Sequence, residues 1–344
     1  MPLPFRLGSP ASRGHALFGK LPGRADFVRV NASLPACEEL DEALHGAMGV
    51  LASAPAWQEH YDRLPVVDIF WASERSGTAF LGSAIPSQDA SGRRYPLVAG
   101  LVLDLQEARR YGPSLPLAGE LLLNQVRHNL QAAVTGGPEL GQLMDHLEAQ
   151  ASGKGHDLLD AEVAHEIHQR YFSREAWTEL GRAPSAEAPE AALRNTLLHL
   201  LFHTHTPPRE LGMDQRYASL PLTVEPGRTA LHLVGWLDLL QRLSGSSARA
   251  WNRRWLVRRN AQRPRLLAHP GAPAARQLAG MLLDDPAPDL RVDVLGGTTA
   301  WHHHPLFPEI SYRLDRFMES KGRSMMDLLD FMEETSREFS SSNQ

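Results

Sequence analysis

Between residues 35 and 52 the apolar positions recur at helical spacing. Leu40, Ala43, Leu44, Ala47, Met48 and Leu51 make one stripe, and Glu38, Glu39 and Asp41 crowd the first turn. Such periodicity predicts an amphipathic helix, with the acids favouring its N-terminus. The pattern then changes. Pro65 to Trp71 and Thr78 to Ile85 read as strands around a Ser-Glu-Arg-Ser-Gly turn, Leu97 to Leu105 as the next, and His15 to Phe18 as a short earlier one. Pro22-Gly23 suits a type II turn. Leu115 to Thr135 is again amphipathic and helical, ended by Gly136-Gly137-Pro138, and Glu139 to Gln150 predicts another helix.

Ala151 to His156 contains Ser-Gly-Lys-Gly, a flexible break that predicts two domains, 1–150 and 158–344. Past it, Asp160 to Trp177 and Glu190 to Phe202 read as helices. Gly181 to Pro189 between them reads as a loop. Pro264 to His269, Ala272 to Leu283 and Leu290 to Leu295 read strand, helix, strand, as in a βαβ unit. Ser324 with Asp327 makes a capping-box start for a last helix to Phe339, and Ser-Ser-Ser-Asn-Gln after it reads as a disordered tail. The expected class is α+β: an antiparallel sheet packed by helices, plus a second, mixed α/β domain.

One polar stretch interrupts the strands. Ile85 to Leu97 reads Ile-Pro-Ser-Gln-Asp-Ala-Ser-Gly-Arg-Arg-Tyr-Pro-Leu, a loop held between two strands. Asp89 and Arg93 can pair across it, Gly92 can take a positive φ, and Pro86 and Pro96 restrict its ends. A loop placed by a rigid sheet often carries function, and an ordered hairpin that only connects is the alternative.

A second stretch, Phe18-Gly-Lys-Leu-Pro-Gly-Arg-Ala-Asp-Phe-Val-Arg29, precedes it. Together the two resemble the TagF (ImpM) family associated with type VI secretion. The first signature is met by Phe18, Gly19, Lys20, Leu21, Pro22, Asp26, Phe27 and Val28. The second is met by Pro86, Ser87, Asp89, Gly92, Arg93, Tyr95, Pro96 and Leu97. The chain departs from the family pattern at Ala25, Ala90 and Ser91, and where Glu38 to Leu44 replaces a Trp-rich segment. The resemblance implies a longin-like N-terminal sheet and a cytoplasmic repressor of type VI secretion that binds a forkhead-associated scaffold protein of the apparatus. From the polar side chains of the two motif loops, partner contacts are expected among Lys20, Arg24, Asp26, Ser87, Asp89, Arg93, Arg94 and Tyr95. Of these, Lys20, Arg24 and Arg94 are expected to face the partner, while Asp89 and Arg93 support the loop.

The 344 residues carry 42% hydrophobic and 22% charged side chains and a net charge of -5, as a globular protein does. Nothing in that total calls for nucleic acid. No run of about 18 apolar residues predicts a membrane span, and the first residues lack the pattern of a signal peptide. The single cysteine, Cys37, allows no internal disulfide and suits a reducing cytoplasm.

The catalytic candidates each lack a member. Gly14 and Gly19-Lys20 match the spacing of a phosphate loop, yet Leu21 stands where a magnesium-binding hydroxyl is needed. His199 and His203 share a helix face with His205 beyond, but no acid lies between them. A metal-dependent hydrolase on that cluster is the alternative function, with helix-end capping as the plainer role. His302 to His304 in a row cannot all reach one ion from an extended chain. Arg249 to Arg265 holds seven arginines with Trp251 and Trp255 and no acid, which suits a structural adaptor, an acidic partner or a solvated face, with nucleic acid a further alternative that the overall acidity argues against. No catalytic residue, metal or cofactor is expected, and the chain reads as a binding protein.

Overall fold

The computed structural model describes residues 14–136, 158–181, 189–205, 217–225, 227–245, 253–269, 271–283, 291–292 and 300–342. The expected break at 151–156, the helix at 139–150 and most of the loop at 181–189 lie outside them.

The first helix forms as its stripe predicts. It is α1, Pro35–Ala52, with a proline at its first position and Leu40, Leu44, Ala47, Met48 and Leu51 buried. Each buried Leu contributes about 2 kcal/mol. The strands are β1 (Gly14–Gly19), β2 (Val28–Val30), β3 (Val67–Ser73), β4 (Thr78–Ile85) and β5 (Leu97–Asp104), then β6 (Tyr217–Pro221), β7 (Arg254–Arg258), β8 (Arg265–Ala268) and β9 (Arg291–Val292). They form one sheet, in the order β2-β1-β5-β4-β3-β7-β8-β6-β9. The early strands are two hairpin-connected sets, β1-β2 and β3-β4-β5, joined where β5 pairs antiparallel with β1. β3, β4 and nearly all of β5 are buried along their length, which explains their continuous apolar runs: a sheet covered on both faces has no polar side.

Two expectations are corrected. The strands after residue 158 do not make a separate sheet, because β7 pairs antiparallel with β3 from Val67 opposite Arg258 to Trp71 opposite Arg254. The segment Pro264 to Leu295 is not a βαβ unit either. β6 lies between β8 and β9, antiparallel to the first and parallel to the second, so β8 and β9 run in opposite directions.

Helices cover both faces. On one lie α1, α2 (Trp57–Asp62) and, after β8, the helix Ala275–Leu282, which packs on α1 where Gly46 leaves room for Ala275. On the other lie α3 (Leu105–Tyr111), α4 (Leu115–Ala118), α5 (Glu120–Val134), α6 (Ala161–Phe172), α7 (Pro189–His205) and α8 (Thr229–Ser244), with α9 the helix Ala275–Leu282 already placed. α10 (Phe307–Glu319) and α11 (Met325–Ser342) complete that layer. The helix expected over Leu115 to Thr135 is therefore broken at Gly119, and α3 is helical because Asp104 caps it, accepting from the amides of Gln106 and Glu107. Ser324 and Asp327 form the expected capping box, with the Asp327 amide donating to Ser324 Oγ at 3.2 Å. The helix continues through Ser340 to Ser342, so those residues are not a disordered tail.

Candidate functional site

The two motifs meet at the end of β1 and the β4–β5 connection. Pro22 and Gly23 form the type II turn, with Gly23 at φ 82° and the Arg24 amide donating to Leu21 O at 3.1 Å. Gly19 has φ 125°, and a Cβ there would fall 2.0 Å from Pro96 O. Only glycine allows the first motif to lie against the second.

Asp89 is the hub of the loop. Its side chain has no exposed surface, and Oδ2 accepts from Lys20 Nζ at 2.8 Å and Arg93 Nε at 2.7 Å. Oδ1 accepts from the Ser91 hydroxyl at 2.7 Å and from the amides of Ser91 and Arg93 at 3.0 Å. The Lys20 ammonium, then the Ser91 and Arg93 donors, outweigh the burial that disfavours the charge and hold the carboxyl well below the usual range. Arg93 also donates to Ala25 O at 2.7 Å, and the Ala90 amide to Arg24 O at 2.8 Å. The motifs are thus stitched by side chain and backbone alike.

Arg94 gives both Nε and Nη2 to Asp62 of α2 at 2.8 Å, which holds the Asp62 carboxyl below its ordinary value. Tyr95 is buried, donates to Asp41 Oδ1 at 2.6 Å and packs on Phe27 at 5.0 Å between ring centroids. Its hydroxyl is pushed upward, chiefly by burial. Ser87 is buried, its amide donating to the Tyr61 hydroxyl and its carbonyl accepting from it.

Of the residues expected at a partner surface, Arg24, Asp26 and Arg93 are exposed. Ser87, Asp89 and Tyr95 lie inside. Lys20 and Arg94 are part-buried, each held by a carboxylate that only the folded chain brings near, and both line an open groove beside the motifs. Sequence reading missed Asp62, Tyr61 and the second face of α1. Glu38, Asp41, Glu42, His45, Gly49 and Ala52 recur at helical spacing there and line an open groove of about 820 Å³ beside the motifs. That periodicity was the available signal.

The other candidates are occupied within the molecule. Arg253 reaches Glu74, Arg254 reaches Glu39 and lies 5.0 Å over the Trp71 ring, and buried Arg258 donates to Leu283 O. Arg259 donates to Asp68 at 2.7 Å and Arg265 to Ser219. The segment is thus neither a solvated face nor a basic patch over these residues, with Arg263 its exposed member; Arg249 and Trp251 lie outside the described residues. His199 Nδ1 accepts from Trp301 Nε1 at 3.0 Å, and His205 Nε2 lies 2.7 Å from Ser336 Oγ. These rings join α7 to Trp301 and α11. Among the described residues no group of three His, Cys, Asp or Glu is placed to hold a metal. Cys37 is fully buried, and burial pushes its thiol up to about 12. Among the described residues no helix is long and apolar enough to cross a membrane.

Residues 16–150 match the family model of the TagF N-terminal domain, described as type VI secretion system-associated. No curated protein matches the chain. A crystal structure of PA0076 from Pseudomonas aeruginosa PAO1 is 23% identical, with a TM-score of 0.34, over 42% of this chain and 64% of that one. The chain spans less than two thirds of that protein's length.

Proposed function

We propose that this chain, whose residues 16–150 match the TagF N-terminal domain associated with type VI secretion, represses that secretion post-translationally by binding a forkhead-associated scaffold protein of the apparatus. It works from the cytoplasm and turns nothing over. The observation that carries the reading is the stitching of the two motifs through Lys20 and Asp89. That arrangement consumes motif residues in holding a rigid shape and leaves Arg24, Asp26 and Arg93 on its crest, as a preorganised binding surface requires.

Affinity capture from cells carrying a type VI cluster tests it. The wild-type chain is expected to retain the scaffold, an Arg24→Glu, Asp26→Arg variant to lose it, and deletion of the gene to raise secretion. Capture of no secretion component, with secretion unchanged on deletion, would refute the proposal.

A further inference from the structure

Three cations border the groove beside the motifs, yet none is free. Lys20 is held by Asp89, Arg94 by Asp62, and Arg29 by Asp41 at 2.6 Å. Glu38 and Glu42 are exposed one helical turn apart on α1, and neither makes an ion pair among the described residues. Like charges at that spacing repel, which weakens the helix that carries them. Arg93 shares Asp89 with Lys20. Lys20, Arg29, Arg93 and Arg94 thus stand beside Asp41, Asp62, Asp89, Glu38 and Glu42, and the balance around the groove is negative by one although the motifs beside it are rich in Arg and Lys.

Its lining is mostly apolar. Phe27, Met48, Trp57 and Tyr95 form the floor, with the Phe27 and Tyr95 rings in contact. Gly49 adds a second observation: a Cβ built there meets nothing within 4 Å, so a residue poor in helix interiors stands where the groove has open space. An open trough with an aromatic floor and an acidic wall fits a chain segment more closely than an enclosed small molecule.

We infer that this groove receives a cationic segment of the protein partner, in which an apolar side chain seats on Phe27, Trp57 and Tyr95 while a neighbouring Lys or Arg meets Glu38 and Glu42. The inference rests on the partner-binding reading above and gives that partner its chemistry. Charge complementarity sets the sign and the aromatic floor supplies the anchor.

The test uses the full chain and two labelled peptides of equal length, one alternating Lys with Leu, the other Glu with Leu, followed by fluorescence anisotropy at low and physiological salt. The cationic peptide is expected to bind, to weaken as salt rises, and to lose about tenfold in affinity to a Glu38→Gln, Glu42→Gln variant. A Gly49→Trp variant, which fills the trough, is expected to lose binding as well, with thermal melting of both variants confirming the fold. Binding of the acidic peptide as tightly, or affinity for the cationic one untouched by either variant, would overturn the inference. Scaffold capture separates the two levels. If Glu38→Gln, Glu42→Gln retains the scaffold while Arg24→Glu, Asp26→Arg loses it, the groove assignment fails and the repressor reading stands; capture by neither wild type nor variant removes the repressor reading instead.

Discussion

Two buried carboxylates, Asp89 and Asp68, organise this protein, and they do so at different ranges. Each has a side chain with no exposed surface and each holds two cations. Asp89 takes Arg93 and Ser91 from its own loop and Lys20 from the other motif, so it fixes the relation of two adjacent surface segments. Asp68, on β3, accepts from Ser83 on β4 at 2.7 Å, from Arg127 on α5 at 2.6 Å and from Arg259 just after β7 at 2.7 Å. It thereby ties the second part of the chain to the first, beside the pairing of β3 with β7. The difference teaches that an arginine-rich stretch can mean opposite things. Around Asp89 the cations shape a surface, and around Asp68 they are internal fastenings.

The largest test of that contrast is Asp68→Ala. Removing one member of a buried ionic network leaves Arg127 and Arg259 with only Glu120, 3.8 and 3.9 Å away, to offset them, which costs about 3 kcal/mol. Denaturant unfolding followed by fluorescence should report that loss. A loss below about 1 kcal/mol would mean that strand pairing alone joins the two parts.

Gly19→Ala comes next. It tests motif docking without touching a charge, because the new Cβ meets the Pro96 carbonyl at a φ that suits glycine. A cost of about 2–4 kcal/mol is expected in thermal or denaturant melts. Full stability in the variant would show that the first motif can lift from the second freely.

The pH dependence isolates Asp89 itself. Its folded pKa is depressed by Lys20 and its neighbours, so its contribution is fully present above the unfolded carboxylate value of about 4 and is lost as pH falls through the folded one. Wild type should therefore exceed Asp89→Asn in stability at neutral pH, with the gap closing as the solution is acidified below about pH 4. Asp62 and Asp238, also depressed, are common to both proteins and cancel. A gap independent of pH would assign Asp89 a packing role instead of an ionic one.

The smallest expected effect belongs to Arg24→Glu, an exposed side chain on the crest. Its stability should stay within about 0.5 kcal/mol of wild type. A larger loss in the same melting assay would place Arg24 among the fastenings and take it off the binding surface.

What was legible along the chain was local. The α1 stripe, the Pro22-Gly23 turn, the Ser324 cap and the Asp89–Arg93 pair each depend on residues a few positions apart, where backbone geometry and periodicity decide the outcome. The α+β class followed from the same signals, and so did the two motifs. Tertiary structure alone decided the rest. Trp255-Leu256-Val257 read only as part of an arginine-rich segment, and that it forms β7 beside β3 was settled by which edge the packed chain leaves open. Lys20, Arg94 and Arg259 read as free cations until folding sets a carboxylate beside each. A charge pattern in sequence counts residues, whereas the surface charge is what remains after distant partners have met.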